Sequence, residues 1–147
     1  MQSYSQRDPK WSQKRLGKSA LTMGRYGCTT TRISDLSTYF GDNLNPAQVC
    51  DRIKYTPAGL IMWESVKFPK FKFWFREYGR KDTNIKNALA DPNLAVILQV
   101  DKGAHWVVAT GNYAPKVFTI ADPWFGDRST TNRYANSITG AAYFKRI

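Results

Sequence analysis

A single histidine, His105, occurs in the 147 residues of this chain, so any nucleophile activated by an imidazole must meet that one side chain. The candidate nucleophile is Cys28. It opens a stretch running to Gly41 in which Ile33, Leu36 and Phe40 recur at three- and four-residue intervals, the pattern of a short amphipathic helix closed by glycine. A thiol at a helix N-terminus feels the positive end of the helix dipole, which favours thiolate. A thiolate beside an imidazole can attack a carbonyl and form an acyl-enzyme, and a carboxylate on the far side of the ring would fix its tautomer. Asp122 is the carboxylate in range. The developing oxyanion needs donors. The backbone N–H of Cys28 is one, and a side-chain amide is the usual second. Gln6, Gln13, Gln48 and Gln99 are the candidates.

Three β-rich runs must bring His105 and Asp122 together: 94–100, 105–111 and 117–121, each bounded by turn-forming residues and read as an antiparallel meander. If Asn112-Tyr113-Ala114-Pro115 forms the hairpin loop, Gly111 faces Lys116 and, counting outward, His105 faces Asp122. Directly opposed residues on one face stand about 4.5–5.5 Å apart at Cβ, close enough for the carboxylate to reach the ring. A one-residue slip would separate them onto opposite faces.

The remaining elements are simpler. Residues up to about Met23 read as a polar extended arm, with turns at Asp8-Pro9 and Gly17 and anchors at Tyr4, Trp11 and Leu16. Gly17-Lys18-Ser19 lacks the earlier glycine of a phosphate-binding loop, since Ser12 stands in that position. Asn45 and Pro46 suit the cap and first position of a helix containing Cys50, whose thiol is expected to be a buried packing group. Phe68, Phe71, Phe75 and Tyr78 fall at helical spacing and predict a buried helical face with Lys70, Lys72 and Arg76 outside. A further short helix is expected over 84–90. Helices first and strands afterwards make the class α+β, in a single domain spanning 1–147.

Twenty-two Lys and Arg residues against 11 Asp and Glu give a formal charge of +11. Such an excess favours polyanionic partners: an anionic polymer of the cell wall, an anionic lipid surface, or, less favoured here, nucleic acid. Two cysteines make no disulfide framework, and both are expected to be reduced. The chemistry calls for no cofactor and no metal. No apolar run follows Met1 and none is of membrane length, so the expectation is a soluble chain, without signal peptide or transmembrane segment, cytoplasmic at synthesis and acting as a virion component or after lysis.

Four ordered blocks carry a family resemblance. Tyr4-Ser5-Gln6-Arg7-Asp8-Pro9-Lys10-Trp11, Tyr26-Gly27-Cys28-Thr29-Thr30-Thr31, Gly103-Ala104-His105-Trp106-Val107-Val108-Ala109-Thr110-Gly111 and Ile120-Ala121-Asp122-Pro123-Trp124 resemble the C39-like peptidases, a branch of the papain-like cysteine peptidase fold. The resemblance implies N-terminal helices followed by an antiparallel sheet, with Cys28 as nucleophile, His105 as base and acid, Asp122 as orienting residue and Gln6 as the oxyanion side chain. Where the family commonly carries Gly-Pro-Thr after the cysteine, this chain has Thr29-Thr30-Thr31, which local side-chain hydrogen bonds make compatible with a helix start. The implied activity is amide hydrolysis on a peptide, with the stem peptide of peptidoglycan suggested by size and charge. The alternatives are a polyanion-binding or structural module using the Lys67 to Lys81 region, and an intracellular protease or isopeptidase acting on a protein partner.

Overall fold

Val96, Ile97, Leu98 and Val100 form the most continuous apolar run of the chain, and such a run is stable only as a strand covered on both faces. The computed structural model, which describes residues 1–147, places this run as β2 (Leu94–Val100) inside a six-stranded antiparallel sheet. The other strands are β1 (Phe71–Tyr78), β3 (His105–Ala114), β4 (Val117–Asp122), β5 (Asp127–Thr130) and β6 (Ile138–Arg146), in the order β1-β6-β2-β3-β4-β5. The architecture is therefore mixed α/β, as the sequence leads one to expect. The sheet is twice as wide as the meander, because β6 inserts between β1 and β2.

Each face carries its own core. Ile33, Leu36 and Phe40 of α2 (Cys28–Phe40) pack on Phe71, Ile97, Val108, Ala142 and Phe144. Ile85 and Ala88 of α4 (Asp82–Ala90) pack on Val96, Leu98, Val107, Ile120 and Tyr143 on the other side. Burying each such large side chain contributes about 1.5–3 kcal/mol. The helices α1 (Met23–Tyr26) and α3 (Pro46–Arg52) complete the first layer. As expected, Asn45 caps α3, here through a reciprocal box with Gln48, both bonds being 2.9 Å, and Pro46 takes the first turn.

Two expectations are corrected. The helix after Cys28 is not amphipathic: Arg32, Ser34, Asp35 and Ser37 are as buried as Ile33 and Leu36. Its polar side chains are accommodated by neighbouring backbone, Ser34 and Ser37 both donating to the Leu44 carbonyl at 2.6 and 3.0 Å. The aromatic stretch expected as a helix is the edge strand β1, paired with β6 alone. A bulge at Trp74 explains the misleading spacing. Phe71 and Phe73 face the α2 layer, and after the extra residue Phe75 turns to the α4 layer, so strand alternation is broken into an apparently helical period.

Candidate active site

Gly27 precedes α2, and its Cα hydrogens leave room where a Cβ would lie 2.5 Å from the Met23 carbonyl oxygen. This close approach of α1 aims the first turn of α2, and with it Cys28, at the end of the sheet. The three threonines do not disturb the start: Thr31 Oγ1 donates to the Gly27 carbonyl at 2.7 Å and Thr30 Oγ1 bonds the Tyr55 hydroxyl at 2.6 Å. As the first residue of the helix, Cys28 has an N–H without an intrahelical acceptor.

His105 begins β3 directly after a turn in which Asp101, Lys102 and Gly103 all have positive φ. The β3–β4 hairpin turns at Pro115-Lys116 rather than over four residues, since Ala114 pairs with Val117. Two bulges on β3, at Thr110 and Tyr113, then shift the register so that Val108 faces Ala121. Asp122 consequently stands opposite Val107, and the directly opposed pairing of His105 with Asp122 is corrected to a diagonal one. The displacement is two residues, which preserves the face. The imidazole Nε2 lies 2.9 Å from Asp122 Oδ1, which leaves Nδ1 uncommitted on a ring that lines the same concavity as Cys28.

The Asp122 carboxylate is completely buried and saturated with partners. Oδ1 also accepts from the Trp124 N–H at 3.0 Å, and Oδ2 accepts from Arg133 Nη1 at 3.0 Å and from the Tyr134 hydroxyl. Burial alone would push its pKa up, yet the bonds to His105, Tyr134 and Arg133 hold it well below the usual carboxylate range. Burial likewise pulls His105 down, but Asp122 and the Cys28 sulfur overcome it and raise the imidazole to about 9. The Cys28 thiol shows the complement: burial pushes it up, and the His105 ring, the Trp106 N–H and the Thr29 hydroxyl together bring it below its ordinary value. Each shift favours thiolate facing imidazolium.

Gln6 reaches the site from the N-terminal arm. Its backbone N–H donates to the Pro123 carbonyl at 2.7 Å, its buried Nε2 makes one long bond of 3.4 Å to the Gly24 carbonyl, and its Oε1 has no partner. An amide nitrogen has two donors, so one is uncommitted. The other candidate glutamines are placed elsewhere: Gln48 in the α3 cap, Gln99 between Arg76 and the Gly103 carbonyl, and Gln13 at the exposed surface.

Two concavities meet at Cys28. One, of about 400 Å³, is lined by Gln6, Arg25, His105, Trp124 and Phe125. The other, of about 370 Å³, runs past Leu21, Leu60, Ile61, Trp63 and Trp106. Together they form a cleft crossing the sulfur, with Arg76 among mostly apolar groups on one side and Arg25 and Asp101 on the other.

Arg133 and Tyr134 are the partners of Asp122 that the sequence did not point to. They lie in a 3₁₀ turn, Thr131–Tyr134, that follows β5, where no periodicity marks them. The available signal was indirect: a buried carboxylate needs more than one donor, so a cation or hydroxyl had to follow Asp122 in the fold. No group of His, Cys, Asp and Glu side chains able to hold a metal ion is present. No helix is long and apolar enough to cross a membrane. No protein-family model, curated protein or solved structure matches this chain.

Proposed function

We propose that this chain is a cysteine peptidase of the papain-like kind, hydrolysing an amide bond through an acyl-enzyme on Cys28. The observation that carries the reading is that Cys28 and His105 line one concavity, with the imidazole held at 2.9 Å by a buried carboxylate that has three further donors on it.

The Cys28 thiolate attacks the substrate carbonyl carbon. The oxyanion that forms is met by the Cys28 N–H and the free donor of the Gln6 amide, contacts that strengthen only as charge develops. The His105 imidazolium gives its proton to the leaving nitrogen, and the C–N bond breaks. Neutral His105 then takes a proton from water, whose oxygen displaces the thiolate and releases the acid. Asp122 keeps the ring oriented and stabilises its cationic form throughout.

The substrate is a peptide that crosses the cleft, and the peptide stems of an anionic cell-wall polymer suit the charge of +11. Recruitment by that charge is screened over about 10 Å at 0.1 M salt. Purified wild-type protein incubated with peptidoglycan sacculi should release new peptide termini, detected by mass spectrometry, and release should fall as salt is raised. Cys28→Ala should release none. Wild type and variant yielding the same products would refute the reading.

A further inference from the structure

Behind the nucleophile, one helical turn into α2, lies an ion pair that the proposed chemistry does not use. Arg32 and Asp35 are completely buried and meet at 2.8 Å between Nη2 and Oδ2. The pair is incompletely satisfied, since Arg32 Nε and Nη1 have no partner. A buried pair of this kind adds little net stability, and apolar residues of similar volume often serve a core equally well or better. What the pair does hold is specific. Arg32 Nη2 donates to the Tyr4 carbonyl at 2.5 Å, and the Tyr4 N–H donates to Asp35 Oδ1 at 2.9 Å. Both backbone groups of a single arm residue are thus gripped by side chains of α2.

Two residues further along the arm is Gln6, anchored by its N–H to the Pro123 carbonyl beside Asp122. We propose that the Arg32–Asp35 pair is a positioning device for oxyanion stabilisation: it fixes the arm at Tyr4 so that the Gln6 amide is held against Cys28. One rigid helix would then set both the thiolate, at its first residue, and the donor opposite it, through the arm. Neither Arg32 nor Asp35 touches the reacting atoms. The inference rests on the peptidase reading of Cys28, and it concerns acyl transfer rather than thiol reactivity as such.

That distinction supplies the test. With p-nitrophenyl acetate, the Cys28 thiolate attacks the ester carbonyl, a C–S bond forms, the C–O bond breaks and p-nitrophenolate leaves, so the step passes through an oxyanion. With iodoacetamide the same thiolate displaces iodide from a saturated carbon, and no oxyanion forms. Both rates are measured on the full chain, at a pH where Cys28 is fully thiolate. The main variant is Arg32→Met/Asp35→Leu, which removes both charges together and keeps an apolar volume in the core.

Acylation in this double variant should fall on the order of 10–10²-fold, part of the full loss of an oxyanion donor, with alkylation of Cys28 unchanged within about twofold. Adding Gln6→Ala to it should lower acylation little further, as residues acting through one another are non-additive. Tyr4→Pro removes one gripped N–H without disturbing either charge, and should give the same selective loss if the double variant does not fold. Unchanged acylation, an equal fall in both rates, or a full additional loss from Gln6→Ala would overturn the proposal. Failure of wild-type protein to acylate at Cys28 at all would instead overturn the peptidase reading on which it rests.

Discussion

Cys28 and Cys50 sit on neighbouring helices, both as free thiols, and their surroundings shift them in opposite directions. Cys50 lies inside α3, packed with Trp11, Leu16 and Met23, where its thiol donates to the Arg15 carbonyl at 3.3 Å. Burial pushes its pKa up and its polar neighbours do not reverse the shift. Cys28 is penalised by burial too, yet its pKa falls, because an imidazole, a backbone N–H and a hydroxyl all favour the charged sulfur. The difference teaches that burial alone does not decide the direction in which a thiol is shifted. The sign is decided by which groups face the sulfur, here His105 and, behind it, Asp122.

The largest effect should come from breaking that contrast at its two ends. Cys28→Ala should abolish acyl transfer to p-nitrophenyl acetate, since no other thiol reaches His105, while Cys50→Ala should leave it within about twofold. Cys50→Ala should instead lower stability by about 1 kcal/mol through lost packing, read as a lower midpoint in urea unfolding. Acylation surviving in Cys28→Ala would move the nucleophile elsewhere.

A smaller effect is expected one step behind the ring. Asp122→Asn should retain measurable activity, because the amide oxygen still accepts from the imidazole N–H but stabilises the imidazolium less. Tyr134→Phe should reduce acylation on the order of 3–10-fold, as it removes a single donor from a carboxylate that keeps His105, Trp124 and Arg133. Steady-state rates at fixed pH test the order. A loss in Tyr134→Phe as large as that in Asp122→Asn would mean that Tyr134 acts directly on the reaction.

The smallest effect is in the pH dependence of stability. His105 is raised to about 9, so its contribution is complete below about 6.5 and is lost as pH rises through the folded value. Cys28 is lowered, so its contribution is present above the ordinary thiol value and is lost as pH falls through its own folded value. Over the shared window the native pair holds one proton, as does the unfolded pair, and the two slopes oppose each other. Wild-type stability should be nearly flat between about pH 6.5 and 9. In Cys28→Ala, Asp122 still raises His105, so stability should decline with pH, on the order of 1 kcal/mol. Thermal unfolding across this range gives the reading, and identical slopes would argue against a charged pair. Turnover should fall as pH passes about 9, where the leaving nitrogen loses its proton donor.

The legible and illegible parts of this molecule divide along the sheet. The β2–β4 meander, the caps of α3 and the short helix α4 could be read locally, because periodicity and turn chemistry act over a few residues. So could the shared face of His105 and Asp122, although by a different route: a shorter turn and two bulges replaced the assumed loop, and their effects left the parity intact. The β1–β6 half was not legible. The bulge at Trp74 disguised β1, and β6 owes its place between β1 and β2 to pairing with strands far away in sequence. The burial of Arg32 and Asp35 in α2 was hidden for the same reason, since their partners are backbone groups of the arm.

The central claim is that His105, held by Asp122, makes Cys28 the reactive thiol. Competitive alkylation with limiting iodoacetamide at pH 7, quantified at each cysteine by mass spectrometry in wild type and His105→Ala, addresses it directly. Wild type should label at Cys28 on the order of 10²-fold faster than at Cys50, because the thiolate is the reacting form, and in His105→Ala most of that advantage should vanish while Cys50 is unaffected. Equal labelling of the two thiols in native wild-type protein, or an advantage for Cys28 undiminished in His105→Ala, would contradict the account.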